Sequence, residues 1–324
     1  MNGHRTASPV RQHTLQPACL YVLAYANFRQ QRNAHTLCSN PLQQPQTVGT
    51  VGPRHQVIVL VGSGAIGQAI ARRVGMGKQI LLADLREENA QAAASTLQEA
   101  GYQTHTAAVD ISDRSSIDAL VQKAQGLGDI VALINSAGVS PSQATPSVIF
   151  AVDLVGTAML LDAFGDVIAG GGNGIVISSQ SGFRLGNLDE ADQRALATLR
   201  PEQLVELPLV KNETDSLRAY QISKRGNALR VSAEAVRWGK RGARLNCISP
   251  GIVFMPLAND ELNGERKDFY RNMLANLPVG RGGNPDEIGA LAEFIMGGSG
   301  GYITGSDFLI DGGATANFFF GEKG

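Results

Sequence analysis

The chain has 324 residues, a formal net charge of −1 at neutral pH and 43% hydrophobic residues. This composition suits a compact enzyme, gives no electrostatic reason to expect a nucleic acid or an anionic membrane as partner, and contains no apolar run of about 18 residues that would predict a membrane span. The three cysteines, Cys19, Cys38 and Cys247, are scattered without metal-ligand spacing, which favours a reduced, cytoplasmic setting and no metal site.

Residues 1–55 differ from the rest of the chain in charge. They contain five Arg and no Asp or Glu, so this piece carries about +5 and the remainder about −6. We predict a flexible or loosely docked N-terminal extension. Two alternatives are a transit peptide, which is also rich in arginine and poor in acids, and an arm that packs on a neighbouring subunit.

The first predicted strand is followed by a glycine-rich turn. Residues 57–61 are apolar and β-branched, as expected for a strand buried on both faces of a parallel sheet. A helical pattern begins after the turn, and glycines between a strand and a helix let the backbone approach a pyrophosphate at the N-terminus of the helix. The predicted dinucleotide contacts in this turn are Gly62, Gly64, Ile66 and Gly67.

The second predicted strand, residues 79–83, ends in Asp84, 22 residues after Gly62. A carboxylate at this spacing accepts hydrogen bonds from the adenosine ribose and repels a 2′-phosphate. We therefore expect NAD(H) as the cofactor. Arg86 is the competing signal, because an arginine nearby can bind the 2′-phosphate of NADP(H).

The pattern then alternates between helices and strands. A helix over residues 87–100, a strand over 106–109, a helix over 115–124, a strand over 130–134, a long helix over 147–168 and a strand over 174–177 follow in turn. This alternation predicts an α/β fold with a doubly wound, parallel Rossmann sheet in a single domain over residues 56–324. Ligands bind at the carboxyl ends of such strands. The polar residues expected there are Asp84, Asp110, Asn135, Gly138 and a serine cluster at residues 178–181.

Tyr220 and Lys224 share one face of a predicted helix that begins at Asp215 or Ser216 and ends near Trp238. A cation beside a phenol favours the phenolate, which makes the tyrosine able to exchange a proton with an alcohol or a ketone. The competing interpretation is an ordinary helix with a surface lysine. The residues expected on its inner face are Leu217, Ile222, Leu229, Val231 and Val236.

Taken together, residues 56–313 resemble the short-chain dehydrogenase/reductase family. The resemblance rests on the glycine-rich turn, Asn-x-Ala-Gly at residues 135–138, Ser-x-x-Gly at 179–182, Tyr-x-x-x-Lys at 220–224, Pro-Gly at 250–251 and Asp-Gly-Gly at 311–313. It implies hydride transfer between a nicotinamide and a carbinol carbon, with Ser179 (or else Ser181) holding the substrate oxygen, Tyr220 as acid/base and Lys224 on the nicotinamide ribose. The implied cofactor contacts beyond the turn are Asp84, Asp110, Ile111, Asn135, Ala137, Gly138, Tyr220, Lys224, Pro250, Gly251 and Ile252. Family members assemble, so the resemblance also implies a homodimer or homotetramer.

The chain departs from the family pattern at three places. Its glycine-rich turn is tighter than usual, and Ile252 and Val253 replace the threonine that often follows Pro-Gly. Asp153 stands where the family has the asparagine of its proton relay. A carboxylate can also hold a relay water, but it adds a charge near Lys224.

Three segments are expected to shape the substrate site. An insertion at about residues 183–214 is a candidate lid or pocket wall, with an oligomer contact or a surface helix as the alternative. Residues 252–277 occupy the position of the substrate loop. Phe318, Phe319 and Phe320 form an apolar tail that packs on a partner subunit or covers a pocket, and we favour the subunit contact.

The extension and the insertion together resemble bacterial NADH-linked 20β-hydroxysteroid dehydrogenases. That resemblance implies a bulky hydrophobic alcohol or ketone as substrate, a steroid reduced at its side-chain ketone. Alternatives within the family are another hydroxysteroid, a small ketone, a sugar alcohol or a 3-oxoacyl substrate. A non-catalytic NAD-binding protein is the alternative from another class.

Overall fold

The structure is a computed structural model that describes residues 54–255 and 267–321. Apart from Arg54 and His55, the predicted extension lies outside the described residues, as does the middle of the predicted substrate loop. The boundary between the extension and the domain therefore stays a prediction.

A parallel sheet forms the centre of the protein. Its described strands are arranged in the order β3-β2-β1-β4-β5-β6-β7. The chain builds outward from β1 in one direction and from β4 in the other, so the crevice where ligands bind in such folds lies between the carboxyl ends of these two strands. The strands are β1 (Gln56–Val61), β2 (Gln79–Asp84), β3 (Gln103–Ala108), β4 (Asp129–Asn135), β5 (Asn173–Ile177), β6 (Arg244–Pro250) and β7 (Asp307–Ile310). The predicted α/β, doubly wound parallel fold is confirmed.

Helices cover both faces of the sheet, and successive residues of β1 show how. Val57, Val59 and Val61 belong to one buried cluster, whereas Ile58 and Leu60 belong to the cluster on the opposite face. A strand buried on both faces reads as a continuous apolar run, which explains the pattern in the sequence. The helices are α1 (Ala65–Val74), α2 (Glu87–Glu99), α3 (Arg114–Leu127), α4 (Pro146–Ile149), α5 (Thr157–Gly165), α6 (Glu190–Thr198), α7 (Pro208–Lys211), α8 (Ser216–Lys240), α9 (Lys267–Ala275), α10 (Pro285–Met296) and α11 (Ala314–Phe320).

The long helix predicted for residues 147–168 is interrupted. α4 passes into a π-helical segment, Phe150–Gly156, before α5 begins. The π segment carries Asp153 into the interior, where the residue has no exposed surface. By length and composition Pro146–Gly165 could cross a membrane, with a mean hydropathy of 1.8, but 72% of that stretch is buried inside the protein. Its apolar character is therefore that of a core helix.

α8 confirms the predicted start of the Tyr220 helix. The side chain of Asp215 accepts a hydrogen bond of 2.7 Å from the backbone N–H of Arg218, so Asp215 is the N-cap. The predicted inner face is correct for Ile222 and Val231 but wrong for Val236, which is 67% exposed. Because helix residues three and four apart share a face, Ala235 and Trp238 follow Val231 into the core, and Val236 points outward.

The insertion packs on the core helices. It forms α6, a 3₁₀ turn (Pro201–Glu206) and α7, and it buries Leu196 and Leu204. Arg230 of α8 donates a 2.7 Å hydrogen bond to the carbonyl oxygen of Leu199. The insertion thus packs on α8, and its role as a lid or pocket wall stays a prediction.

Candidate active site

A cavity of about 320 Å³ lies at the carboxyl ends of the central strands. The glycine-rich turn, the end of β4, the serine cluster after β5, α8 and the segment after β6 all contribute to its wall. Of the strand-end residues expected here, Gly138 and the serine cluster line this cavity, as far as the described residues define it, whereas Asp84, Asp110 and Asn135 do not. The predicted site residues that line the cavity are Gly64, Ile66, Ala137, Gly138, Ser179, Ser181, Tyr220, Lys224, Pro250, Gly251 and Ile252.

Ser178, the serine to which the sequence assigned no role, fixes the serine cluster to α8. Ser178 is buried, and its Oγ donates a 2.7 Å hydrogen bond to the carbonyl oxygen of Lys224. Ser179 is the N-cap of the following 3₁₀ turn, and its Oγ accepts a 3.1 Å hydrogen bond from the backbone N–H of Ser181. Ser179 and Ser181 both line the cavity, so both stay candidates for the substrate oxygen.

Lys224 lies deep in the wall beside Tyr220. Its Nζ is 5.2 Å from the centroid of the Tyr220 ring, and the residue is only 5% exposed. Burial opposes the charged ammonium, but the negative charges of Asp153 and of a Tyr220 phenolate outweigh burial and raise the pKa of Lys224 above its ordinary value. The structure thus places a persistent cation next to the phenol.

Asp153 is the counter-ion of Lys224. Its Oδ1 accepts a 2.8 Å hydrogen bond from the backbone N–H of Val139, and its Oδ2 lies 3.3 Å from Nζ of Lys224. Among the described residues no group makes a hydrogen bond of good geometry to Oδ2, so the contact with Lys224 is an ion pair by distance. Burial raises the pKa of the Asp153 carboxyl, while the ammonium and the Val139 N–H act in the opposite direction.

The glycine-rich turn fits a pyrophosphate. A Cβ at Gly62, whose φ is +84°, would lie 2.4 Å from the backbone nitrogen of Ala137, so the turn can pack on the end of β4 only with glycine there. A Cβ at Gly64 would meet no atom within 4 Å among the described residues, which leaves open space in front of α1. Gly64 is also the N-cap of α1 and offers no side chain to its first N–H groups.

A second cavity of about 330 Å³ lies beside this turn and fits the adenosine end of a dinucleotide. Asp84 lines it, and its Oδ2 accepts a 2.9 Å hydrogen bond from the backbone N–H of Ser63. Its Oδ1 accepts from the N–H of Arg86 at 3.2 Å and from Nδ2 of Asn89 at 3.1 Å. The polar side chains that line this cavity, among them Gln68, Asp84 and Asn89, can bind the hydroxyl groups of a ribose.

Three predicted cofactor residues support the crevice from outside the wall. Asn135 is buried, donates from Nδ2 to Oγ1 of Thr157 and accepts at Oδ1 from the N–H of Ala137. Asp110 accepts at Oδ1 from the N–H and the hydroxyl of Ser112, and Ile111 belongs to the buried core. Within the described ranges Asn135, Asp110 and Ile111 are not lining residues of either cavity, so their direct contact with a cofactor stays a prediction.

Sequence reasoning missed part of the outer wall. Arg184 lies over the Phe318 ring at 5.3 Å from its centroid, donates to Oε1 of Gln180 at 2.8 Å and contacts the sulfur of Met273 at 3.1 Å. Arg184 is the one residue of the predicted insertion that lines the cavity, judged over the described residues. Phe318, for which we favoured a subunit contact, lines the cavity of its own chain. The predicted substrate loop contributes Ile252, Val253, Met255 and Met273 to the wall.

Comparison with known proteins agrees with this geometry. Residues 55–188 match the family model for short chain dehydrogenase, and residues 209–315 match the model described as Enoyl-(Acyl carrier protein) reductase. The chain is 36% identical over 261 residues to a short-chain dehydrogenase/reductase of Alternaria brassicicola, covering 80% of this chain and 95% of that protein. It is 30% identical over 267 residues to the D-threitol dehydrogenase of Mycolicibacterium smegmatis, covering 80% of this chain and 92% of that enzyme.

Among solved structures, the 3-alpha-hydroxysteroid dehydrogenase from Pseudomonas sp. B-0831 complexed with NADH is similar in fold. The TM-score is 0.67 at 22% identity, with 83% of this chain and 100% of that chain covered. The sequence relatives, the two family models and this fold agree with one another. This chain belongs to the short-chain dehydrogenase/reductase family and is an oxidoreductase.

Proposed function

We propose that the protein is an NAD(H)-linked enzyme that interconverts an alcohol and a ketone. The observation that carries the proposal is the arrangement of Tyr220, Lys224, Ser179 and Ser181 around one cavity, whose opposite wall is the glycine-rich turn. A binding protein would have no need for a buried ammonium beside a phenol at that place. The alternative of a non-catalytic NAD-binding protein has no such support.

Each residue has a distinct role in the proposed mechanism. When bound, a nicotinamide dinucleotide supplies or accepts the hydride. Tyr220 gives its phenolic proton to the carbonyl oxygen during reduction and takes it back during oxidation. Ser179 donates a hydrogen bond to the same oxygen, which stabilises the developing charge, with Ser181 as the alternative donor. Lys224 holds the cofactor ribose and favours the phenolate form of Tyr220.

Asp84 supports NAD(H) over NADP(H). Its carboxylate lines the cavity beside the glycine-rich turn, where a negative charge repels a 2′-phosphate. We expect a higher kcat/KM with NADH than with NADPH. A preference for NADPH would refute this assignment and would point to Arg86 instead.

We further propose that the substrate is bulky and hydrophobic, namely a steroid that is reduced at its 20-ketone. Leu217, Met255, Met273 and Phe318 give the cavity an apolar side that suits such a molecule. The second candidate is a sugar alcohol. It is favoured by the name of the D-threitol dehydrogenase relative and by Gln180, Arg184 and Gln221, which add polar groups to the same wall.

The substitution Tyr220→Phe tests the chemistry. Removing a positioned acid/base group lowers turnover by about 10²- to 10⁴-fold. NADH binding, measured by the change in its fluorescence, should survive in the variant. Tyr102→Phe is the matched control, because the Tyr102 hydroxyl donates a 2.6 Å hydrogen bond to the carbonyl oxygen of Arg72 on the protein surface.

Two sets of assays separate the substrate classes. Both variants are tested for reduction of 20-ketosteroids and small ketones with NADH, and for oxidation of tetritols and hexitols. Substantial turnover by Tyr220→Phe would refute the proposed mechanism. Activity on sugar alcohols without activity on steroids would refute the steroid proposal alone.

We also propose that the protein forms a homodimer or homotetramer and is located in the cytoplasm. Exposed apolar side chains at Phe294 and Leu309 support an interface between subunits. Sedimentation velocity of the full-length chain tests the assembly, and a monomer at micromolar concentration would refute it.

A further inference from the structure

The ion pair between Asp153 and Lys224 is buried in the wall of the site. Asp153 has no exposed surface, and Lys224 is 5% exposed. A Cβ at Gly138 would lie 3.1 Å from both Oδ1 of Asp153 and Nζ of Lys224, so the pair fills the space directly behind the end of β4. The carboxylate is therefore held in place beside the ammonium that faces Tyr220.

The negative charge of the Asp153 carboxylate changes the electric field at Tyr220. Lys224 alone would present an isolated cation, 5.2 Å from the ring centroid. The Asp153 carboxylate lies 3.3 Å from this ammonium. The two opposite charges form a dipole, which attracts a phenolate less strongly than the ammonium alone would. In a buried site with little water, this partial cancellation is screened less than at the surface.

Other titratable groups near the pair do not replace Asp153. Cys247 of β6 influences Lys224, but burial and the nearby Asp307 raise the pKa of the Cys247 thiol well above its usual range, so it stays neutral. Asp307 of β7 is a hydrogen-bond partner of Ser249 and Cys247, and Arg225 is its cationic neighbour. Among the described residues, the titratable groups that interact with Lys224 are Asp153, Tyr220 and Cys247, and with the thiol neutral Asp153 is the permanent negative charge of the three.

We propose that Asp153 is a positioning residue that partly cancels the field of Lys224 and thereby moves the proton exchange of Tyr220 to higher pH. The inference rests on the proposed function, because it requires Tyr220 to be the acid/base group. It assigns to the carboxylate a role that an asparagine could not perform, since an amide has nearly the same shape and no charge. The protein would thus be adapted to keep Tyr220 protonated, and ready to donate, over a wider range of pH.

The substitution Asp153→Asn tests the inference. The amide oxygen can still accept from the Val139 N–H, while the negative charge is lost. We expect the acidic limb of the kcat/KM profile for alcohol oxidation to move to lower pH by about one unit, the low end of the pKa shifts that a neighbouring charge produces. Asp162→Asn is the control, because Asp162 lies beyond the π segment on α5 and pairs at the surface with Arg114 at 3.1 Å, and its profile should match the wild type.

A spectroscopic titration gives a second readout that does not depend on turnover. The phenolate absorbance near 295 nm is measured against pH for each chain and for the same chain carrying Tyr220→Phe, and the difference isolates Tyr220. The Tyr220 phenolate should form at lower pH in Asp153→Asn than in the wild type. Asp153→Ser, whose hydroxyl can also accept from Val139, provides a second neutral variant if the amide impairs folding.

Three outcomes would overturn the inference. Equal loss of activity at every pH, with no change in the Tyr220 titration, would mean that Asp153 only supports the packing. A shift to higher pH would mean that Asp153 chiefly keeps Lys224 protonated. If Tyr220→Phe abolishes turnover while the Asp153 variants keep the wild-type profile, the inference fails and the proposed function stands.

Discussion

Phe318 offers a direct test of which wall contacts the substrate. It lies on α11, lines the cavity and is 56% exposed, so a ligand that covers it removes about half of the residue's surface from water. Complete burial of a phenylalanine side chain is worth about 1.5–3 kcal/mol, so covering the exposed half is worth about 0.8–1.5 kcal/mol. Since a tenfold change in rate corresponds to about 1.4 kcal/mol, Phe318→Ala should lower kcat/KM for a bulky ketone about four- to twelvefold.

Phe320 is the matched control for this substitution. It lies on the same short helix and is 88% exposed, and it is absent from the cavity wall as far as the described residues define it. Phe320→Ala should therefore leave kcat/KM unchanged. Phe318→Leu keeps an apolar side chain and should retain more activity than Phe318→Ala.

The assay compares ketones of increasing size at saturating NADH. A substrate too small to reach α11 should be reduced equally well by Phe318→Ala and by the wild type, and the difference should grow with substrate size. Equal losses for small and large ketones would refute the assignment, because they would indicate a general disturbance of the site. Equal losses in the Phe318 and Phe320 variants would refute it as well.

Two further predictions concern stability. Leu196→Ala should lower the free energy of unfolding by about 2–5 kcal/mol, because Leu196 of the insertion is fully buried, and urea unfolding that changed by less than about 1 kcal/mol would contradict the packing role. Its kcat/KM should match the wild type, whereas a lid residue would change it. Glu287, bound by Arg281 at 2.8 Å and 2.9 Å, has a pKa lowered from 4.5 to about 2. A depressed carboxyl pKa stabilises the fold above the unfolded value and loses that effect as pH falls through the folded value. The difference in Tm between wild type and Glu287→Gln should therefore shrink from pH 4.5 towards pH 2, and a difference that stays constant would contradict the ion pair.

The parts of the fold that the sequence could predict depend on local patterns. Continuous apolar runs identified the buried strands, and the residue that follows each run marks the edge of the sheet where the cavity lies. The prediction that Tyr220 and Lys224 lie side by side required only the helical repeat, because side chains four residues apart share one face of a helix. These relations hold within a few residues of chain, so no knowledge of the packing was required.

The parts that could not be predicted depend on contacts between distant segments. Asp153 and Lys224 are 71 residues apart in sequence, so only the family resemblance placed them near each other, and the π segment that turns Asp153 inward has no clear signal in the amino-acid pattern. Phe318 reaches the cavity only because α11 lies beside the turn that carries Arg184. The leucines of the insertion, among them Leu196 and Leu204, belong to the same buried cluster as residues of α8, a contact between distant segments that composition does not reveal.

The contacts that position α8 differ from those that shape the substrate side of the cavity. Ser178 bonds the carbonyl oxygen of Lys224, and a Cβ at Gly182 would lie 2.8 Å from the backbone nitrogen of Arg225, so the serine turn and the helix are in backbone contact. The distance between the serines and Tyr220 is therefore determined by the core of the fold. Met273 and Phe318, by contrast, reach the cavity from short helices at the edge of the protein. Substitutions there can reshape the wall without moving the acid/base pair, which is the property that a family with many substrates requires.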